Sequence, residues 1–109
     1  MRAEPIYRHR RGKTGEDAYD NDVYGWTRTQ LPDGLFAPGG VSEPVEPGRE
    51  PVVSEPAVYW RRVRPDVVAA DRIEVRGLVY DVVGDPADWR GTFVGGLGVR
   101  LKRAEEGVA

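Results

Sequence analysis

The clearest pattern along the chain is the period-two alternation of Asp71-Arg-Ile-Glu-Val-Arg-Gly-Leu-Val-Tyr-Asp-Val-Val83, broken only at Arg76-Gly77. Two alternating runs separated by a two-residue break containing glycine predict a β-hairpin. With Arg76 and Gly77 as its loop, Val75 lies opposite Leu78, Ile73 opposite Tyr80 and Asp71 opposite Val82. Ile73, Val75, Leu78, Tyr80 and Val82 then share an apolar face, while Arg72 meets Asp81 and Glu74 meets Val79 on the other. A slip of one residue loses both the apolar face and the charge pair, so the register is well specified.

Shorter signals surround this hairpin. Ile6 to His9 predicts a short first strand, and Tyr24 to Thr29 a second. Asp17 to Asp22 is an acidic, turn-prone stretch, and Leu31-Pro-Asp-Gly34 reads as a turn before a short element, Leu35 to Ala37, that stops at Pro38. Residues 38–56 hold five prolines among Gly39, Gly40, Gly48 and four glutamates, which predicts a long extended loop and excludes a helix or a central strand. Loops of this length are usually functional or disordered, and a flexible excursion without a role is the plainer alternative. Ala57 to Arg61 predicts another strand. Gly84 to Gly91 reads as a turn, Thr92 to Gly98 as a glycine-rich connection, and Val99 to Arg103 as the final strand. No amphipathic helix is evident. The expected architecture is a single all-β domain over residues 1–109, a small antiparallel β-barrel or sandwich of about five or six strands with a long Pro/Glu-rich loop.

Composition narrows the chemistry. The formal net charge of −2 argues against affinity gained by neutralising many phosphates. Charge is nonetheless uneven: Arg2, Arg8, Arg10, Arg11 and Lys13 make the N-terminus basic, while Glu43, Glu46, Glu50 and Glu55 make the middle acidic. Such asymmetry suits contact between copies or neighbours, or is solvated charge on two loops. The absence of cysteine removes disulfides, thiolate zinc sites and thiol catalysis. The N-terminal segment lacks a signal-peptide apolar region, and no window approaches the ~20 apolar residues of a membrane span, so a cytosolic, soluble product with no membrane partner is expected.

No catalytic, metal or cofactor site is expected. His9 is the single histidine, in a basic stretch with no carboxylate at a spacing that orients it, and reads as an exposed surface residue. Ser42 and Ser54 lie in the Pro/Glu-rich loop, away from any rigid base. The acidic clusters Asp17, Asp20, Asp22 and Asp85, Asp88 lack a calcium-loop pattern. Trp89, beside Arg90 in a Gly/Pro turn, either covers the core or is offered to a partner, with core cover favoured. Arg61, Arg62 and Arg64 after Tyr59-Trp60 offer a minor basic and aromatic nucleic-acid surface.

The run from Ala70 to Arg90 resembles a hairpin and turn of the head-to-tail stopper, or head closure, proteins of long-tailed phages that infect actinobacteria. There the hairpin runs Asp-Arg-Val-x-Val-x-Gly-x-x-Tyr-x-Val, a Gly-x-Pro-x-x-Trp turn follows, and a Gly-Val-x-Val/Leu strand ends the domain. Asp71, Arg72, Val75, Gly77, Tyr80, Val82, Gly84, Pro86 and Trp89 match that pattern. Leu35 to Pro38 and Val58-Tyr59 are similar to the family's earlier strands only in outline. The connection before the last strand is shorter than the family pattern and the Pro/Glu-rich loop is long.

The resemblance implies a non-enzymatic virion neck protein, assembled in the host bacterial cytoplasm. Its homo-oligomeric ring, hexameric in preference to dodecameric, would sit between the portal and adaptor above and the tail terminator or tail tube below, closing the channel through which genomic DNA passes without sequence-specific binding. Ser42, Glu43, Glu46, Arg49, Glu50 and Glu55 are then the candidate channel or ring-contact loop, and Arg8, Arg10, Arg11, Trp89 and Arg90 the candidates for docking a neighbour. Arg72, Ile73, Val75, Gly77, Leu78, Tyr80, Asp81 and Val82 are scaffold. The alternatives are a tail terminator or other neck or tail ring protein, and a small-barrel nucleic-acid-binding regulator; an enzyme ranks behind both.

Overall fold

The computed structural model describes residues 2–42, 52–90 and 95–104. Its elements are β1 (Ala3–Glu16), β2 (Asp22–Ala37), β3 (Gly40–Ser42), β4 (Val52–Ser54), β5 (Ala57–Arg61), β6 (Arg72–Val75), β7 (Leu78–Trp89) and β8 (Gly96–Arg103). There is no helix among the described residues. Six strands pair antiparallel in the order β1-β2-β5-β8-β7-β6, and β6 returns to β1 through Tyr7 to His9, closing a barrel. The other two, β3 and β4, form a separate ladder that pairs Gly40 with Ser54 and Ser42 with Val52.

The β6–β7 hairpin has the register that its alternation demands: Arg72 faces Asp81, Ile73 Tyr80, Glu74 Val79 and Val75 Leu78. Arg76 and Gly77 both take positive φ, 55° and 74°, the primed-turn geometry that matches strand twist. Arg72 Nε donates to Asp81 Oδ1 at 2.9 Å. Ile73, Val75, Tyr80 and Val82 are buried, whereas Leu78, at the turn, stays exposed.

Four expected boundaries are corrected by the pairing. The short strands at Ile6 and Tyr24 are pieces of one long hairpin, β1–β2, whose ladder runs from Ala3–Leu35 to Glu16–Asp22. Leu31 to Gly34 does not reverse the chain. Ile6 pairs Leu31 and Glu4 pairs Gly34, so Pro32-Asp33 opposes Pro5 alone in a bulge. Trp60 accounts for the bulge: its Nε1 donates to the Pro32 carbonyl at 2.7 Å, and a Cβ at Gly34 would lie 3.0 Å from Trp60 Nε1 and Val58 Cγ1. Gly84 to Trp89 does not end β7 either. Gly84, at φ 67°, sits in a further register shift, after which Ala87 pairs Gly98 and Trp89 pairs Gly96. The last strand accordingly begins at Gly96 rather than Val99. Finally, the described flanks of the Pro/Glu-rich loop are strands, β3 and β4, and its middle lies outside the described residues.

The core is filled by Ile6, Leu31, Phe36, Val58, Trp60, Val67, Ile73, Val75, Tyr80, Val82, Leu97, Val99 and Leu101. Phe36 and Tyr80 meet at 5.8 Å between centroids, tilted by 50°, within the favoured range for aromatic pairs. The molecule is elongated. Its principal extents are 64 × 39 × 22 Å and its radius of gyration is 17.1 Å, against about 13 Å for a spherical domain of this length.

Candidate functional site

The elongation originates in β1–β2. On one side β1 joins the barrel only through Tyr7 to His9, and on the other β2 joins it only through Leu35 to Ala37. Past Arg10 the pair continues as a two-stranded ribbon whose backbone edges have no strand partner among the described residues. A bare hairpin is marginal in water by itself, and this one carries Val23, Tyr24 and Trp26 exposed along β2 and Tyr19 at the tip, 85% exposed.

The tip is ordered by Asp17. Its Oδ1 accepts the Tyr19 and Asn21 N–H groups at 2.8 and 2.9 Å, and Asp20 takes the left-handed φ of 60° that aspartate tolerates. These hydrogen bonds hold the Asp17 carboxyl below the usual aspartate range. Lys13 Nζ bridges Glu16 and Asp22 at 3.0 and 3.1 Å, leaving the tip acidic overall.

Alternation divides the ribbon's side chains between two faces. Ile6, Arg8 and Arg10 share the inward face, where the two arginines strap down the connection between β5 and β6. Arg10 grips Asp71 in a two-point fork, Nε to Oδ1 at 2.9 Å and Nη2 to Oδ2 at 2.8 Å, and its Nη1 donates to Asp66 Oδ2 at 2.8 Å. Arg8 Nη1 donates to the Asp66 carbonyl at 2.8 Å, and Asp71 Oδ2 also accepts the Val68 N–H. Val67, between these anchors, is buried in the core.

The outward face holds Tyr7, His9 and Arg11 on β1 with Arg28, Trp26 and Tyr24 on β2. Glu74 of β6 accepts from His9 Nε2 at 2.8 Å and from Arg28 Nε and Nη2 at 3.0 and 2.9 Å. Arg28 foremost, with His9, holds the Glu74 carboxyl below its ordinary range against the cost of burial. Arg28 also lies 3.7 Å over the Tyr7 ring, and Arg72 lies 4.5 Å over Trp26.

At the opposite end of the ribbon lies a cleft of about 450 Å³, lined by Leu35, Tyr59, Trp60, Arg61, Trp89, Gly95, Gly96 and Leu97. Tyr59 and Trp89 form its walls, and glycine forms its floor. Gly98 pairs with both Tyr59 and Ala87, and a Cβ there would meet Tyr59 Cε1 at 3.0 Å and Trp89 Nε1 at 3.6 Å. Tyr59 is 48% and Trp89 58% exposed. Arg61 lines the cleft, and both it and Arg62 are exposed; Asp88, opposite Leu97 on the other face of β7, binds both Arg64 and Arg90 at 3.1 Å.

No protein-family model matches this chain, and no curated protein matches it. Its chemistry is therefore read from its own surfaces.

The sequence-predicted residues separate into distinct places. Trp89 does not cover the core; the β7 extension turns it outward as a cleft wall, and it is Val67 that enters the core from a connection. Arg90 stands beside it, mostly exposed and paired with Asp88. Arg8 and Arg10 are committed to the Asp66–Asp71 strap, whereas Arg11 lies exposed opposite Trp26 on the outward face. Of the loop candidates, Ser42 ends β3 and Glu55 is exposed after β4, while Glu43, Glu46, Arg49 and Glu50 lie outside the described residues. His9 is half-buried and oriented by Glu74, a carboxylate 65 positions away that local spacing cannot reveal. Among the described residues no three His, Cys, Asp or Glu side chains converge as a metal site. The cleft has no local signal in the sequence, because Tyr59, Trp89 and Gly98 come together only through the β5–β8–β7 pairing.

Proposed function

We propose that this protein is a structural subunit of a phage virion neck, a stopper-like ring component joining head to tail. The observation that carries the reading is the β1–β2 ribbon, which leaves the barrel with bare edges and exposed aromatics and is suited to bury them against neighbouring subunits. The match of Asp71, Arg72, Gly77, Tyr80, Pro86 and Trp89 to the stopper pattern supports it. Asp71 and Arg72 fit a scaffold role in that pattern, since one anchors the strap to Arg10 and the other bridges to Asp81. An elongated, antiparallel barrel packs readily side by side around an axis. A hexameric ring is preferred. The test is electron microscopy of the purified protein added to portal–adaptor complexes: ring density beneath the adaptor is expected, and no association with the complex would overturn the reading.

A second reading, the nucleic-acid-binding regulator, is favoured by one observation: the outward face of β1–β2 interleaves Tyr7, Trp26 and Tyr24 with Arg11, Arg28 and Lys13, a composition that stacks bases and meets phosphates. Fluorescence anisotropy with a single-stranded oligonucleotide separates the two. Because net charge is −2, binding weaker than micromolar and abolished by moderate salt is expected; tight binding by the monomer with a steep salt slope would favour the regulator.

A further inference from the structure

The surface carries three unusual features: the bare ribbon, its acidic tyrosine-bearing tip, and the aromatic cleft. Two of them complement one another. The tip presents Tyr19 beside Glu16, Asp17, Asp20 and Asp22, with Lys13 as the one nearby cation. The cleft presents Tyr59 and Trp89 with Arg61 at its edge, Arg62 following with its N–H on the Gly95 carbonyl, and Asp33 as the acid close by.

The two patches cannot meet within one chain. The tip is where Glu16 pairs Asp22, and the cleft lies where Ala3 pairs Leu35. Thirteen residue steps along β1 at about 3.3 Å each place them roughly 40 Å apart. A donor patch and an acceptor patch at opposite ends of a stiff ribbon form a heterologous contact, in which each copy gives its tip to one neighbour and its cleft to another.

We infer that the Tyr19 tip of one copy docks in the Tyr59–Trp89 cleft of the next. The inference rests on the ring reading for its setting and supplies the contact from which that ring is built. The tyrosine ring enters the cleft of about 450 Å³ beside Tyr59 and Trp89, where offset or edge-on aromatic contact is favoured. The acidic tip, with Asp20 outside the Lys13 bridges, then faces Arg61 and Arg62. Asp17 already fixes the turn through its hydrogen bonds to Tyr19 and Asn21, so little ordering of the tip is lost on docking.

Complementation between two defective variants tests this on the full chain. Wild type is expected to form concentration-dependent oligomers by sedimentation velocity. Tyr19→Ser and Trp89→Ser are each expected to raise the assembly midpoint by about thirtyfold. Both side chains are exposed, so circular dichroism and thermal melting should match wild type, and Arg61→Glu addresses the same contact through charge. An equimolar mixture of the two serine variants pairs the intact tip of one with the intact cleft of the other and is expected to stop at a heterodimer. A wild-type protein that stays monomeric, variants that assemble like wild type, or a mixture no larger than its components would each overturn the inference. If Tyr19→Ser still forms rings on the portal–adaptor complex, this docking is excluded and the neck reading stands. If wild type self-associates through the contact but ignores that complex, the neck reading falls and the docking stands.

Discussion

Gly96→Ala is expected to destabilise the protein by at least about 3 kcal/mol, read as a loss of most of the urea unfolding transition followed by tryptophan fluorescence. Gly96 takes φ 147°, where an L side chain is strained. A Cβ there would overlap the Trp60 carbonyl oxygen and lie 2.9 Å from its carbonyl carbon. Neither is the end of a flexible side chain, so the clash is relieved only by parting β5 from β8. That seam pairs Trp60 with Leu97, both buried, and Trp60 also anchors the β2 bulge through Pro32. Damage at Gly96 therefore spreads through β5 to β2. Gly12→Ala is the control: nothing lies within 4 Å of its Cβ position, and a change below about 0.5 kcal/mol is expected. A wild-type midpoint for Gly96→Ala would contradict the close approach of β5 and β8.

The second large effect is expected from Asp71→Ala, about 2–3 kcal/mol of destabilisation. The Asp71 side chain is 1% exposed and holds the Arg10 fork, while Arg10 is 34% exposed and retains Asp66. Partial hydration of Arg10 and its second carboxylate keep the loss below that of a fully buried pair. Burial pushes the Asp71 carboxyl up, and the Arg10 fork with the Val68 N–H more than offsets this, so it lies below the usual aspartate range. A carboxyl held below its unfolded value of about 3.9 contributes stability that is complete above that pH and is lost as pH falls through the folded value. The wild-type urea midpoint is accordingly expected to fall below about pH 4, a trend shared by Asp66 and Glu74, whose carboxyls the Arg10 and Arg28 hydrogen bonds hold low. Asp71→Asn lacks this contribution and should show a shallower acid slope. Equal slopes would place the acid sensitivity in the other carboxylates.

The β6–β7 hairpin was legible in the sequence down to its residue pairs because one alternating face, one two-residue turn and one cross-strand charge pair all demand the same register. Ala57 to Arg61 was legible for similar reasons. The long hairpin was not: its ribbon half has no buried face, so Gly12, Lys13, Gly15 and Gly25 show no apolar alternation to read. Pro32-Asp33-Gly34 and Gly84-Asp85-Pro86 carry turn chemistry yet form bulges inside strands, because tertiary partners, Trp60 in the first case and β8 in the second, hold the chain extended on either side. The cleft was hidden for a different reason. Its aromatic walls come from positions 59 and 89, and only the barrel's strand order makes them neighbours.

The narrow seams around β1–β2 also bear on how the molecule comes apart. The hairpin is zipped along its whole length internally, yet its strand pairing with the rest of the barrel is confined to Tyr7 to His9 and Leu35 to Ala37, reinforced by Ile6, Leu31 and Phe36 in the core and by the Arg8, Arg10 and Arg28 side-chain bonds. An element with such narrow seams is expected to open as a unit before the β5–β8–β7–β6 sheet does, read as earlier amide hydrogen exchange along β1 and β2. A detached hairpin can close the barrel of another copy in place of its own, which makes domain swapping the misassembly to which this topology is most open.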